Sequence, residues 1–172
     1  MKVRSSLVAG GLASLLVVLA GCGGGDDDAS RKVGNVGGGT SVERPEGALK
    51  VGDVVKVGDT EVIVHGVKDP LEAQPAPDAG SRYVGVDVEL KNLSSAPVKY
   101  SAFGQFELMD SSGDSYGAVV LRGLPPPVGG EAPPGGSRRG QVAFSVPQDA
   151  KGLYLVFKDR LAGKGEASIY LS

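Results

Sequence analysis

The chain has 172 residues but only one cysteine, one histidine and two methionines, and no tryptophan. Each shortage closes a class of function. A lone Cys22 excludes an intramolecular disulfide. One histidine, His65, beside one cysteine falls short of the four nitrogen or sulfur ligands of a closed zinc site. With methionine only at Met1 and Met109, the soft-ligand set of a copper carrier is missing as well. No motif calls for a cofactor. Positive charge is thin too: 18 Lys and Arg stand against 20 Asp and Glu, for a net charge of −2. No basic cluster exceeds two residues, and Arg138-Arg139 reads as a solvated strand edge. Nucleic acid is therefore not an expected partner, because phosphate binding rests on clustered Lys and Arg.

What is present at the N-terminus is a leader. Residues 1–6, MKVRSS, carry two positive charges, and residues 7–21, LVAGGLASLLVVLAG, carry none. A charged segment followed by 15 apolar or small residues has the layout of an export signal. It falls short of the ~20 apolar residues of a spanning helix. Setting aside this leader, with Lys2 and Arg4, leaves 16 basic residues against 20 acidic ones, a net charge of −4. The basic end is expected to stay inside, with Asp26, Asp27 and Asp28 on the far side.

The leader ends in Leu19-Ala20-Gly21-Cys22, which resembles the bacterial lipobox. The resemblance implies a diacylglyceryl group on the Cys22 thiol, cleavage between Gly21 and Cys22, and Cys22 as the mature N-terminus. The lipid would then be the membrane contact, since two or more chains at ~0.8 kcal/mol per buried CH₂ hold where one does not. Gly23 follows the cysteine where some bacteria place an Asp retention signal, so sorting between membranes stays open. Residues 23–48 are a linker by composition: eight of the 26 are Gly, and no hydrophobic period is present. A flexible chain of that length has a root-mean-square reach of about 28 Å.

From Leu49 the pattern changes to period two. In Tyr83–Lys91, YVGVDVELK, Val84, Val86, Val88 and Leu90 alternate with Gly85, Asp87, Glu89 and Lys91, the signature of a half-buried strand. Val142, Phe144 and Val146 repeat it in QVAFSV, residues 141–146. Further strands are expected over 60–67, 106–109, 153–157 and 167–171, separated by Gly, Pro, Asp and Ser turns. Seven to nine short strands over 49–172, with no helical stripe, predict an all-β antiparallel sandwich. Two Pro- and Gly-rich stretches, Leu71–Ser81 and Leu124–Ser137, are expected as exposed loops.

These elements together resemble a known domain. The run from Tyr83 to Asn92 followed by Ser94-Ser95-Ala96-Pro97-Val98, the spacing Phe106, Leu108, Asp110, Gly113, Tyr116, the Pro134-Gly135 turn before Gly140, Phe144, Val146 and Pro147, and Leu153–Phe157 occur in order. They are similar to the secreted immunoglobulin-like domain of unknown function called the 4352 family. The resemblance implies an immunoglobulin-like β-sandwich over residues 49–172, behind a lipoprotein signal and a low-complexity spacer. It departs at Gly136, where a polar residue is more usual, and in the long Pro-rich loop before it. It brings no catalytic or ligand residues with it.

Local roles follow from physical chemistry. Asn92 ends a strand and is expected to bond its own backbone two residues on. Gly113 should supply a positive φ in a hairpin, and Pro147 should end a strand because it has no amide hydrogen for the ladder. Asp110, Ser112 and Asp114 sit at positions 1, 3 and 5 of a would-be calcium loop, but Gly113 and Leu121 stand at positions 4 and 12, where an EF-hand has Gly at 6 and Glu at 12; a plain hairpin turn is expected. His65, without a nucleophile in a recognisable setting, reads as a strand histidine paired locally. Tyr83, Tyr154 and Tyr170 all fall on the register opposite the core residues and form a candidate binding face.

The expectation from sequence is a lipid-anchored extracytoplasmic protein of the bacterial envelope, presenting one sandwich for non-catalytic binding of an envelope protein or glycan, or for an accessory role in the envelope. The alternative is a small-ligand or metal carrier with a pocket at one end of the sandwich.

Overall fold

The structure, a computed structural model, describes residues 48–159 and 165–172. Its centre is β4, Ser81–Asn92, the longest strand. The alternation seen in the sequence decides its orientation: Val84, Val86, Val88 and Leu90 are fully buried on one face. β3, Thr60–Lys68, pairs with one edge of β4 and β9, Ser137–Pro147, with the other, both antiparallel. Val62 and Val64 from β3, and Val142, Phe144 and Val146 from β9, extend the same apolar surface.

The facing layer is built from β6, Phe106–Met109, β10, Tyr154–Lys158, and β11, Glu166–Tyr170. Phe106, Leu108, Leu155, Phe157 and Ile169 close the core, with the Phe106 and Phe157 rings 5.2 Å apart and tilted by 51°. β7, Ser115–Val119, joins the layers: it pairs with β6 through Ser115, Tyr116 and Gly117 and with β9 through Ala118 and Val119. The first strands straddle the sandwich. β1, Leu49–Lys50, runs parallel to β11, and β2, Val54–Val57, runs antiparallel to β3 at the other extreme. The order is thus β1-β11-β10-β6-β7-β9-β4-β3-β2, an immunoglobulin-like sandwich that nearly closes on itself. Both extreme strands are short, which limits the unpaired edge open to other chains.

A separate ribbon of β5, Val98–Ser101, and β8, Gly129–Ala132, contributes the buried Tyr100 and Ala132 to the main core. One helical turn, α1, Ala102–Gln105, follows β5. The six expected strands are present with boundaries shifted by a residue or a few. The short strands β1, β2, β5, β7 and β8 carry too few residues to show a period. β8 also corrects the loop expected over 124–137. There Gly129 lies so close to the Tyr100 carbonyl that an added Cβ would sit 3.3 Å from it. The lack of a side chain is what lets this proline- and glycine-rich segment pair at all.

Asn92 makes the expected turn and more. Its Oδ1 accepts from the Ser94 amide at 2.9 Å and the Ser94 hydroxyl at 2.7 Å. Its Nδ2 donates to the Ala96 carbonyl at 2.8 Å and the Ala132 carbonyl at 3.0 Å. Its backbone amide donates to Gly136, and its carbonyl accepts from Gly135. Its fully buried side chain therefore ties the end of β4 to its own turn and to β8, and its backbone adds the Pro134-Gly135 turn. The glycine at 136 fits a neighbouring ring: an added Cβ would lie 2.8 Å from Cδ of Pro133.

Asn92→Ala removes the side-chain donor to the Ala96 and Ala132 carbonyls and the acceptor of the Ser94 amide, and should cost on the order of 3 kcal/mol, read as a lower midpoint in urea with the m-value unchanged.

Candidate binding groove on the outer face

The outer face of β3, β4 and β9 is not bare. The loop after β3 returns over it, with the Leu71 amide donating to the Tyr83 carbonyl at 2.8 Å. The segment after β7 crosses beside it, and the Arg122 amide donates to the Gln74 carbonyl at 2.8 Å, which ties the two loops together. Beneath them lies a second apolar cluster of Leu71, Tyr83 and Ala143, flanked by Val119, Leu121 and Leu124. Such close approach needs glycines. A Cβ on Gly85 would meet Gln141 at 2.8 Å and Leu71 at 2.9 Å, and one on Gly140 would meet the backbone of Pro126, Pro127 and Val128 at 2.5–2.8 Å.

This placement corrects the tyrosine face. Tyr83 does point away from the main core, but the loops bury it to 7% exposure. Tyr154 and Tyr170 lie on the other layer as a half-buried cross-strand pair, with rings stacked 5.2 Å apart. The three do not form one surface. Periodicity told which side each residue leaves the sheet; it held no signal for what covers that side.

Where the loops stop, a groove opens. One compartment, of about 530 Å³, is lined by Gly66, Lys68, Asp87, Pro125, Arg139 and Gln141. A smaller apolar one, of about 200 Å³, shares Pro125 and Gln141 with it and is bordered by Phe103 and Val120, 54% and 78% exposed. Arg139 and Asp87 form a forked pair at 2.7 and 3.1 Å across β4 and β9. The Arg139 bond holds the Asp87 carboxyl below its ordinary range against the pull of burial. Beside them His65 bonds Glu89 at 2.9 Å, the local partner expected for that histidine. His65 sits where the β3–β4 register shifts between Val64 and Gly66, a bulge that turns the strand next to the groove. Gln141 Oε1 is buried without a hydrogen-bond partner.

Arg82 was not singled out by the sequence. It holds Asp69 through two bonds, at 2.7 and 3.1 Å, and donates to the carbonyls of Pro147 at 2.6 Å and Ala150 at 3.1 Å. This cation fixes the start of the loop over Tyr83, and its only sequence signal was an arginine opening a strand.

The second hollow, about 480 Å³, lies at the end of the sandwich beside the Asp110 hairpin. Gly113 takes the expected positive φ of 89°. Asp110 Oδ1 accepts from the amides of Ser112 at 2.8 Å and Asp114 at 3.1 Å, and Oδ2 accepts from the Tyr116 hydroxyl at 2.8 Å. The carboxylate is spent on the turn, as a plain hairpin requires. Among the described residues no three His, Cys, Asp or Glu side chains are grouped to hold a metal ion. No described helix is long and apolar enough to cross a membrane. Gly21 and Cys22 lie outside the described residues.

The hairpin makes stability depend on pH at both ends. Burial pulls the Asp110 carboxyl up, but the bonds from Tyr116 and the turn amides outweigh it and hold it below the ordinary range. That contribution is complete above the ordinary carboxylate pKa and is lost as pH falls through the depressed value. Tyr116, desolvated and bonded to Asp110, is pushed up to about 12. Stability therefore falls as pH rises from about 10, where an unfolded tyrosine ionises. Tyr116→Phe should cost about 2 kcal/mol at neutral pH, with the deficit shrinking in acid and the alkaline loss reduced to what the buried Tyr100, also pushed up, contributes, as urea titrations across pH would read.

The family described as a domain of unknown function (DUF4352) matches residues 49–167. No curated protein matches the sequence. Among solved structures, the yjhA protein of Bacillus subtilis is 19% identical, with a TM-score of 0.55 over 72% of this chain and 99% of that one. The secreted protein MPT63 of Mycobacterium tuberculosis is 15% identical, with a TM-score of 0.52 over 72% and 94%. The candidate lipoprotein ycdA of Bacillus subtilis is 16% identical, with a TM-score of 0.53 over 67% of this chain but 38% of that one. At these identities the likeness is one of fold. With the matched segment running from β1 into β11, the chain belongs to the DUF4352 family of domains of unknown function.

Proposed function

We propose that this protein is a non-enzymatic binding module held at the outer side of a bacterial membrane by a lipid on Cys22, with its sandwich displayed on the 23–48 linker. The observation that carries the binding role is the groove: two loops pinned to the sheet by Arg82, the Gln74–Arg122 bridge and close glycine contacts leave a preformed, partly apolar cleft with a charged floor. Preformed clefts of this mixed character are the usual place for a ligand. The secreted and candidate-lipoprotein descriptions of two structural neighbours support the location. The favoured partner is another envelope protein rather than a glycan, because the cleft is bordered by proline and aliphatic side chains while the tyrosine pair sits on the opposite layer. The carrier reading is weaker: in the hollow at the sandwich end the Asp110 oxygens are already bonded, and its remaining carboxylates, Asp114 and Asp149, complete no group of three metal-ligating side chains among the described residues.

Mass spectrometry of the membrane-extracted protein should find the mature chain starting at a lipid-modified Cys22. Cys22→Ser should move the protein from the membrane fraction to the soluble one. Cross-linking on intact cells should enrich a defined envelope protein with the parent chain. An unmodified Cys22 removes the anchor, and an absence of any enriched protein removes the binding role.

A further inference from the structure

The groove has chemical preferences that go beyond the reading just given and rest on it. Its larger compartment carries two cations, Lys68 and Arg139, against one carboxylate, Asp87. Arg139 is committed to Asp87. The Lys68 ammonium holds no ion pair or hydrogen bond among the described residues and acts on Asp87 only at a distance. The compartment thus keeps one uncommitted positive charge. The smaller compartment is apolar, with Phe103 and Val120 exposed at its rim. Pro125 and Gln141 line both, so the two are halves of one open trough. At the junction Gln141 Oε1 lacks a donor, which is costly for a buried acceptor. The floor at Gly66 is bare backbone: an added Cβ there would meet nothing within 4 Å.

We infer that the trough binds an extended peptide segment of a partner protein that presents an apolar and an acidic side chain at alternate positions. Alternation puts both on one side of an extended chain, about 6.8 Å apart or a multiple of it. The apolar side chain fills the compartment beside Phe103 and Val120, and the carboxylate meets Lys68. A backbone N–H of the peptide gives Gln141 the donor it lacks, once the terminal amide swings toward it. A compact small molecule uses one half of the trough; an extended chain uses both halves and the junction.

The test is an array of acetylated hexapeptides probed with the purified Cys22→Ser protein. Each peptide carries Leu, Val or Phe at one position and Asp, Glu, Asn or Lys two or four residues on. Apolar–acidic peptides should be retained at least tenfold better than their Asn or Lys counterparts, with the advantage shrinking in high salt. Gly66→Phe fills the trough from its open floor and should abolish retention while leaving the melting temperature within a few degrees. Lys68→Glu, at an exposed position, should invert the preference toward Lys whether or not Gly66→Phe folds. Retention indifferent to charge and to both variants overturns the inference, as does an array with no retained peptide. Intact-cell cross-linking of the same variants separates the two levels. An enriched partner that persists in Gly66→Phe and Lys68→Glu leaves the binding role standing and moves it off this groove. No enriched partner with any chain removes both.

Discussion

β4 must be covered on two faces, and most of the molecule is arranged by how that is done. On the inner side four fully buried aliphatic side chains need a facing layer, which β6, β10 and β11 supply. On the outer side Tyr83 and Gly85 need only a partial lid, which the chain makes from loops rather than from a third sheet. Loops can press so close to a sheet only where side chains are missing. Gly85 and Gly140 provide those gaps, and the close contacts an added Cβ would make show how little room is left. The groove is the part of the outer face that the lid does not reach. Fold and candidate site thus have one origin: a central strand buried on both faces by two different means.

The elements differ in how plainly the sequence announced them. Val84 to Leu90 was legible because the strand is long enough for a period to stand out from chance, and because aliphatic residues on one side meet polar ones on the other. Asn92 and Gly113 were legible because their local conformations are close to properties of the residue itself. β8 was not: its pairing depends on the distant Tyr100 carbonyl, and a run of Pro and Gly carries no trace of that. The same holds for the site. The two Pro-rich loops stood out by composition, but their docking onto β4 is set by Leu71, Arg82 and Gly140, whose partners lie far along the chain. Tyr83 shows the limit most clearly. Its side of the sheet was readable and its burial was not, because burial is decided by what other segments do.

The electrostatics follow a similar division. The ion pairs on the outer face, Asp87 with Arg139 and His65 with Glu89, lie across neighbouring strands and are partly open to water. Pairs of this kind contribute little to stability in isolation. Their value here is geometric: they hold long side chains in fixed positions along the groove, so that a visitor meets an ordered floor. The hairpin at Asp110 is different. There a carboxylate, a phenol and several amides satisfy one another in a tight turn, so the Asp110 side chain serves the hairpin rather than the hollow beside it.

The straddling first strands have a mechanical side. The described chain enters through β1, a two-residue strand on one layer, and within a few residues it has crossed to β2 on the other. Tension applied through that end therefore reaches β1 first, where few hydrogen bonds resist. β2 is loaded next, through its antiparallel ladder with β3. A short outer strand of this kind acts as a fuse. Its two paired residues give way before the long ladders on either side of β4, so β4 and the trough over it keep their shape. A pull on the N-terminal side of the sandwich is thus met first by its shortest strand, and the core strands are the last to feel it.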